Sequence, residues 1–267
     1  MSDRVVYTVE EGVADVRLNR PDKINALDMA MFAALVDVGE EIKANPSVRA
    51  VVLSGEGRGF CAGLDFASFE AIAGAGSPQD APTDLAERDA RITNRGQQAC
   101  YVWTEMPAPV IAALHGVALG GGAQLALAAD MRIMAPDAQI SILEIRWGLT
   151  PDMTGTQMLP RLVGLDVAKE LALTGRMVKG EEAVRLGLAT RLSDTPLQDA
   201  LALARQIAAN NPHAVRGAKA LLNLAGQVSL AEGFLAEERT IRSLVGSPNQ
   251  VEAVTAYFEK RPPVFTD

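Results

Sequence analysis

The chain has little of what metal, thiol or membrane chemistry needs. Only two cysteines and two histidines occur in 267 residues. Cys61 and Cys100 sit in apolar or helical settings, which gives no disulfide framework and no zinc-ligand spacing. His115 and His213 have no carboxylate or cysteine at useful spacing, and His115 reads as a hydrogen-bonded structural residue. No apolar run reaches the roughly 18 residues of a membrane span, and the opening Met-Ser-Asp-Arg carries no apolar signal core. A cytoplasmic protein is expected. Positive charge is also short. The net charge of −8 argues against a nucleic-acid or anionic-membrane partner.

What is present suits a globular protein: 48% hydrophobic and 22% charged residues, with length enough to bury a sizeable core. Residues 5–9 and 13–18 read as strands of a hairpin around Glu11-Gly12. Asp28 reads as the N-cap of a helix to about Lys43, with Met31, Leu35, Val38 and Ile42 on its apolar face. A strand over 50–53 runs into a glycine-dense stretch, 55–59, and a second helix is predicted near Asp65. Residues 73–84 form a polar, Pro/Gly-rich insert expected to be mobile and, with the helix after it, to shape any pocket here. A long helical stretch to about Met106 precedes a strand over 109–114. Three glycines, Gly120, Gly121 and Gly122, then lead into an apolar helix and a strand over 131–134.

Strand, glycine turn and helix therefore occur twice, which indicates an α/β core. From Pro196 onward only helices are predicted, over 197–209, 213–225, 230–245 and 248–259. Two regions result: a core over 1–195 and a helical region over 196–267.

The triple glycine is the most informative feature. Without Cβ atoms its backbone can approach a ligand closely, and the following helix presents unsatisfied N–H groups at its start. In a buried setting such donors can stabilise a developing oxyanion. A tight strand-to-helix turn needs the same glycines, so the run alone does not decide between the two. The stretch 55–59 mimics a dinucleotide fingerprint, but Phe60 takes the place of its last glycine.

Leu18-Asn19-Arg20-Pro21-Asp22-Lys23-Ile24-Asn25-Ala26-Leu27, Gly59-Phe60-Cys61-Ala62-Gly63-Leu64-Asp65 and His115-Gly116-Val117-Ala118-Leu119-Gly120-Gly121-Gly122 follow one another in order. Glu144 to Pro151, then Gly155-Thr156-Gln157, continue the series. Together these motifs resemble the crotonase superfamily, the enoyl-CoA hydratase/isomerase family, over nearly the whole chain. The resemblance implies a spiral of ββα units with a C-terminal helical region used in trimerisation, as a homotrimer or a dimer of trimers. It implies an acyl-CoA substrate, with CoA as part of the thioester and no separate cofactor or metal. The backbone N–H groups of Leu64 and Gly121 would form the oxyanion hole. Lys23, Ala26, Ala62, Asp65 and Gly120 would line the substrate, and Lys260 matches a basic position able to reach CoA on a neighbouring subunit. Lys23, with Arg20 beside it, is either a phosphate contact or a surface residue.

Hydratases of the family resemble one another in carrying two glutamates. Here one position holds Glu144 and the other holds Gln124. An amide can hold water but cannot exchange a proton at neutral pH. One carboxylate suffices for an isomerase, which removes a proton from C2 and returns it at C4. Asp152, eight residues after Glu144, stands where relatives commonly have glycine and resembles the acid of dienoyl-CoA isomerases; as a bland reading it is a helix N-cap. The expected activity is enoyl-CoA isomerisation through Glu144, with Asp152 and Gln124 assisting. The competing readings are hydration or dehydration, and a non-catalytic acyl-CoA- or RNA-binding member of the fold.

Overall fold

A computed structural model describes residues 3–65, 88 and 90–267. The helix predicted near Asp65 and the 73–84 insert lie outside the described residues.

Strands β1 (Val5–Glu10) and β2 (Val13–Leu18) pair antiparallel, and the turn residues Glu11 and Gly12 have φ of 50° and 79°. Positive φ at both central positions lets the turn follow the right-handed strand twist. Strands β3 (Ala50–Gly55), β4 (Val110–Leu114), β5 (Val117–Leu119), β6 (Met131–Met134), β7 (Gln139–Ser141), β8 (Val178–Lys179) and β9 (Arg191–Leu192) follow. They form a six-stranded sheet, β1-β2-β3-β4-β6-β9, parallel beyond the first pair, and a three-stranded sheet, β5-β7-β8. Successive segments alternate between the two sheets, β4 then β5 and β6 then β7, which winds the chain into a spiral. Sequence reading missed β5, β7, β8 and β9 because each has only two or three residues, too short for a periodicity to show.

Helix α1 (Met29–Lys43) is capped by Asp28, whose side chain accepts from the Met31 N–H at 2.8 Å, and it buries Met31, Leu35, Val38 and Ile42 as expected. Helix α2 (Arg95–Thr104) begins at a capping box between Asn94 and Gln97. The expected long helix to Met106 is, over the described residues, this ten-residue piece. Helices α3 (Gly121–Leu127), α4 (Gly155–Val163), α5 (Leu165–Thr174) and α6 (Gly180–Leu186) complete the spiral. Every residue of α3 is buried, so it reads as an apolar run without a polar face.

The large sheet is covered on both faces, which is why β4 is buried at all five positions. Val16, Leu18, Val51, Leu53 and Leu114 join the main core with α1, α2 and α3. Val13, Val52, Ile111 and Ile133 face the other way, against helix α7 (Pro196–Ala208). Ala200, Ala204 and Ala208 recur every fourth residue on α7, and small side chains at that spacing let it lie close to the strands.

Helices α8 (Pro212–Leu224), α9 (Leu230–Leu244) and α10 (Pro248–Glu259) extend beyond. Lys219 on α8 pairs with Asp130 at 2.7 Å and donates to the Ala108 carbonyl, which ties this region to the start of β4. Burial pulls the Lys219 ammonium below its usual range, opposed by Asp130. Helix α9 buries none of its residues within one chain, although Leu230, Phe234, Leu235 and Ile241 lie on it. Among the described residues no helix is long and apolar enough to cross a membrane.

Candidate active site

The two glycine turns predicted from sequence meet in space. The Phe60–Leu64 stretch runs beside β5: Phe60 N–H donates to His115 O, Cys61 N–H to Val117 O, and Leu119 N–H to Cys61 O, at 2.9–3.0 Å. Gly63 turns the chain there with φ of +88°, and a Cβ on it would lie 2.6 Å from the Leu119 carbonyl oxygen and 3.7 Å from the Gly121 nitrogen. Only glycine permits both that conformation and that approach. Leu64 N–H and Gly121 N–H, adjacent to this contact, have no hydrogen-bond partner among the described residues. One neighbour of each is engaged: Gly120 N–H donates to Ser141 O at 2.9 Å, and Asp65 N–H to Leu27 O at 3.0 Å.

Glu144 opens a short 3-10 turn, Glu144–Trp147, directly after β7. It is 8% exposed although it carries a carboxylate. Gly120 has φ of +51°, and a Cβ on it would sit 3.3 Å from Glu144 Oε1, so this glycine keeps the base and the donor turn in contact. Gln124, one turn into α3, donates from Nε2 to Glu144 Oε1 at 2.6 Å. Its own Oε1 accepts from the backbone N–H groups of Met153 and Gly155, both at 2.9 Å. Those two donors decide which way the amide points, and the NH₂ is left facing Glu144. Glu144 Oε2 is buried with no partner. Burial pushes the Glu144 carboxyl above its usual range; the Gln124 hydrogen bond opposes that shift and the Asp152 charge adds to it.

Asp152 lies on the 151–154 loop that Gln124 holds. It does not cap α4, whose N-cap is Thr154 with no side-chain cap bond. Desolvation raises the Asp152 carboxyl too, although the residue remains exposed at the rim. Thr154 was not found from sequence. Its φ is 74°, unusual for a β-branched residue, and its hydroxyl is buried without a partner. The signal was a threonine between Met153 and Gly155 at a helix start, where a positive φ favours glycine.

The remaining sequence candidates divide. Ala26 is buried, Ala62 donates its N–H to Ile24 O at 2.9 Å, and exposed Lys23 lies just ahead of them, so this loop adjoins the Gly63 turn. Asp65 and Arg20 face one another: Arg20 Nη1 donates to Asp65 Oδ2 at 2.5 Å and to Ala26 O at 3.0 Å. Lys260 lies outside this group, exposed at the C-terminal end of α10 with φ of 56°. Cys61 is fully buried and its thiol is pushed up to about 12 by burial, which leaves no thiolate for chemistry. His115 Nε2 is 2.9 Å from Gly57 O, as a structural residue would be.

The family model for enoyl-CoA hydratase/isomerase matches residues 8–267. A Bacillus subtilis protein with a provisional enoyl-CoA hydratase/isomerase designation is 36% identical over 269 residues, 99% of each chain. The peroxisomal Δ(3,5)-Δ(2,4)-dienoyl-CoA isomerase of Arabidopsis thaliana is 34% identical over 96% of this chain and 93% of its own. The crystal structure of enoyl-CoA hydratase from Bacillus anthracis superimposes with a TM-score of 0.87 at 32% identity, covering 98% of this chain and 99% of that one.

Proposed function

The chain belongs to the enoyl-CoA hydratase/isomerase family and is an enoyl-CoA hydratase or isomerase; between the two we propose the isomerase. The observation that carries this reading is the pairing of one buried carboxylate with one amide, Glu144 with Gln124. Hydration of a 2-enoyl thioester draws on two groups to bind a water and exchange its proton. Here the second group is an amide whose orientation is already committed to Glu144 and to two backbone donors.

Glu144 Oε2 would take a proton from C2 of a 3-enoyl-CoA. The electron pair moves into the C2–C1 bond and onto the thioester oxygen, which the N–H groups of Leu64 and Gly121 would hold. Collapse of the dienolate draws the same proton from Glu144 to C4, and the double bond ends between C2 and C3. The raised Glu144 carboxyl suits a group that must both accept and return a proton. Removing one such backbone donor costs about 3–4 kcal/mol of transition-state stabilisation in comparable sites. Asp152 on the rim assists by its charge. Ala26, Ala62, Gly120 and Lys23 would lie along the thioester and the CoA, which arrives with the substrate, so no separate cofactor or metal is called on.

A homotrimer, or a dimer of trimers, is part of the same proposal. It is supported by the apolar residues of α9, since Leu230, Phe234, Leu235 and Ile241 are each at least half exposed. Lys260 would then reach CoA on a neighbouring subunit. Two free buried cysteines suit a reducing compartment such as the cytoplasm.

Hydration is the second reading, favoured by Asp152 as an alternative water-orienting acid. Proton NMR in deuterated buffer separates the two. With 3-hexenoyl-CoA the double bond should migrate and no 3-hydroxy product should form; rapid conversion of crotonyl-CoA to its 3-hydroxy product would replace the isomerase reading with the hydratase. Silence with both substrates would favour a binding role.

A further inference from the structure

Arg20 reads in sequence as a possible phosphate contact, but the structure turns it inward. Its side chain is 13% exposed, and one nitrogen, Nη1, reaches both Asp65 Oδ2 and the Ala26 carbonyl. Asp65 follows Leu64 directly, and Ala26 precedes Leu27. Leu27 N–H donates to Gly63 O and Asp65 N–H returns to Leu27 O, so the two segments run side by side for one rung, with Leu64 opposite Leu27. Among the described residues this bridge stands alone, with no sheet beside it to fix its register. Arg20 clamps it from the flank by gripping one group on each segment. The clamp is itself anchored, because Arg20 lies 3.6 Å from Asp28, which pairs with Arg4 at 2.8 Å and caps α1. Two cations and two carboxylates therefore join the N-terminal strand, the first helix and the Gly63 turn.

We propose that Arg20 and Asp65 are positioning residues that aim the Leu64 N–H at the thioester oxygen. A partly buried charge-assisted hydrogen bond is worth more than an exposed pair, and the bond from the same nitrogen to the Ala26 carbonyl gives the contact direction as well as charge. Asp65 then contributes to the site through Arg20 instead of by touching substrate. Lys23 shares the Arg20–Leu27 loop, so a CoA held at Lys23 and the donor at Leu64 belong to one mechanical unit. This inference rests on Leu64 being an oxyanion donor.

Asp65→Asn and Arg20→Lys both keep side-chain bulk, and either can carry the test if the other does not fold. The readouts are kcat and KM on 3-hexenoyl-CoA, and the absorption shift of bound 2,4-hexadienoyl-CoA, which moves to longer wavelength when its carbonyl is polarised. Expected for the variants is a kcat loss of about tenfold, a smaller red shift, and KM within about twofold of the parent. Unchanged kcat and an unchanged red shift in a folded variant would overturn the proposal. So would an unchanged red shift with kcat and KM both impaired, which would mark the pair as merely structural. No red shift in the parent protein would instead show that the oxyanion reading has failed.

Discussion

Gln124 Nε2 lies 2.6 Å from Glu144 Oε1, and the amide that makes this contact also receives N–H donors from Met153 and Gly155. One side chain thus fixes the base and the loop bearing Asp152. It also divides the Glu144 carboxylate into a held oxygen and a free one, and the free one, Oε2, is buried without a partner. A buried acceptor left open in this way carries a desolvation cost that a substrate proton can offset.

Glu144→Gln should lower kcat by about 10²- to 10⁴-fold, the range of a lost general base. Acyl-CoA affinity should stay within a few-fold, because the backbone donors are untouched. Steady-state kinetics with calorimetric titration checks both. A variant within a few-fold of the parent rate would show that another group moves the proton.

Restoring a carboxylate by Gln124→Glu tests the specificity argument. One oxygen would keep the Met153 and Gly155 donors, and the other would face Glu144 across about the same gap. Two carboxylates so close share a proton, so one member of the pair titrates well above the ordinary range. The hydration-to-isomerisation ratio should rise, and the acid limb of the rate profile should move to higher pH. An unchanged product ratio would mean that water placement, not the missing acid, limits hydration.

The pH profile of the parent follows from the sign of the Glu144 shift. Its carboxyl is raised, so kcat/KM should fall as pH drops through a value above the usual glutamate range. The negative charge of Asp152 contributes to that rise, so Asp152→Asn should move the acid limb to lower pH. Stability runs the other way. The folded state binds this proton more tightly than the unfolded chain, so stability falls as pH rises from the ordinary carboxylate range through the raised value. Glu144→Gln removes that penalty, and its melting temperature should exceed the parent's at neutral pH but not in acid.

Thr154 holds a left-handed φ of 74° with a buried, unpartnered hydroxyl. Relief of that strain by Thr154→Gly should stabilise the fold by about 1 kcal/mol, net of the extra freedom glycine brings to the unfolded chain. Thermal unfolding should show a rise of about 2–4 °C. A lower melting temperature would show that the threonine packs favourably despite its backbone.

Much of the fold was legible in local pattern. Asp28 capped the helix predicted for it, and the hairpin closed at Glu11-Gly12. The C-terminal helices fell within a residue or so of their predicted starts, at Pro196, Pro212, Leu230 and Pro248. These signals are local: a capping side chain, a turn, a proline at the first helical turn, a period of 3.6. The motifs also carried a family resemblance, which the family match bears out, and from it the expectation that Leu64 and Gly121 are the donor positions.

What the residues alone determined, then, is which groups the protein possesses: a glutamate at one of two facing positions, an amide at the other, and glycines where a side chain cannot fit. Tertiary structure alone decided how those groups face one another. The amide's orientation depends on two backbone N–H groups 29 and 31 residues downstream, and the inward turn of Arg20 depends on a carboxylate 45 residues away. Neither carries a local signal, because a hydrogen bond is set by distance and angle, and only the folded spiral brings those atoms within reach.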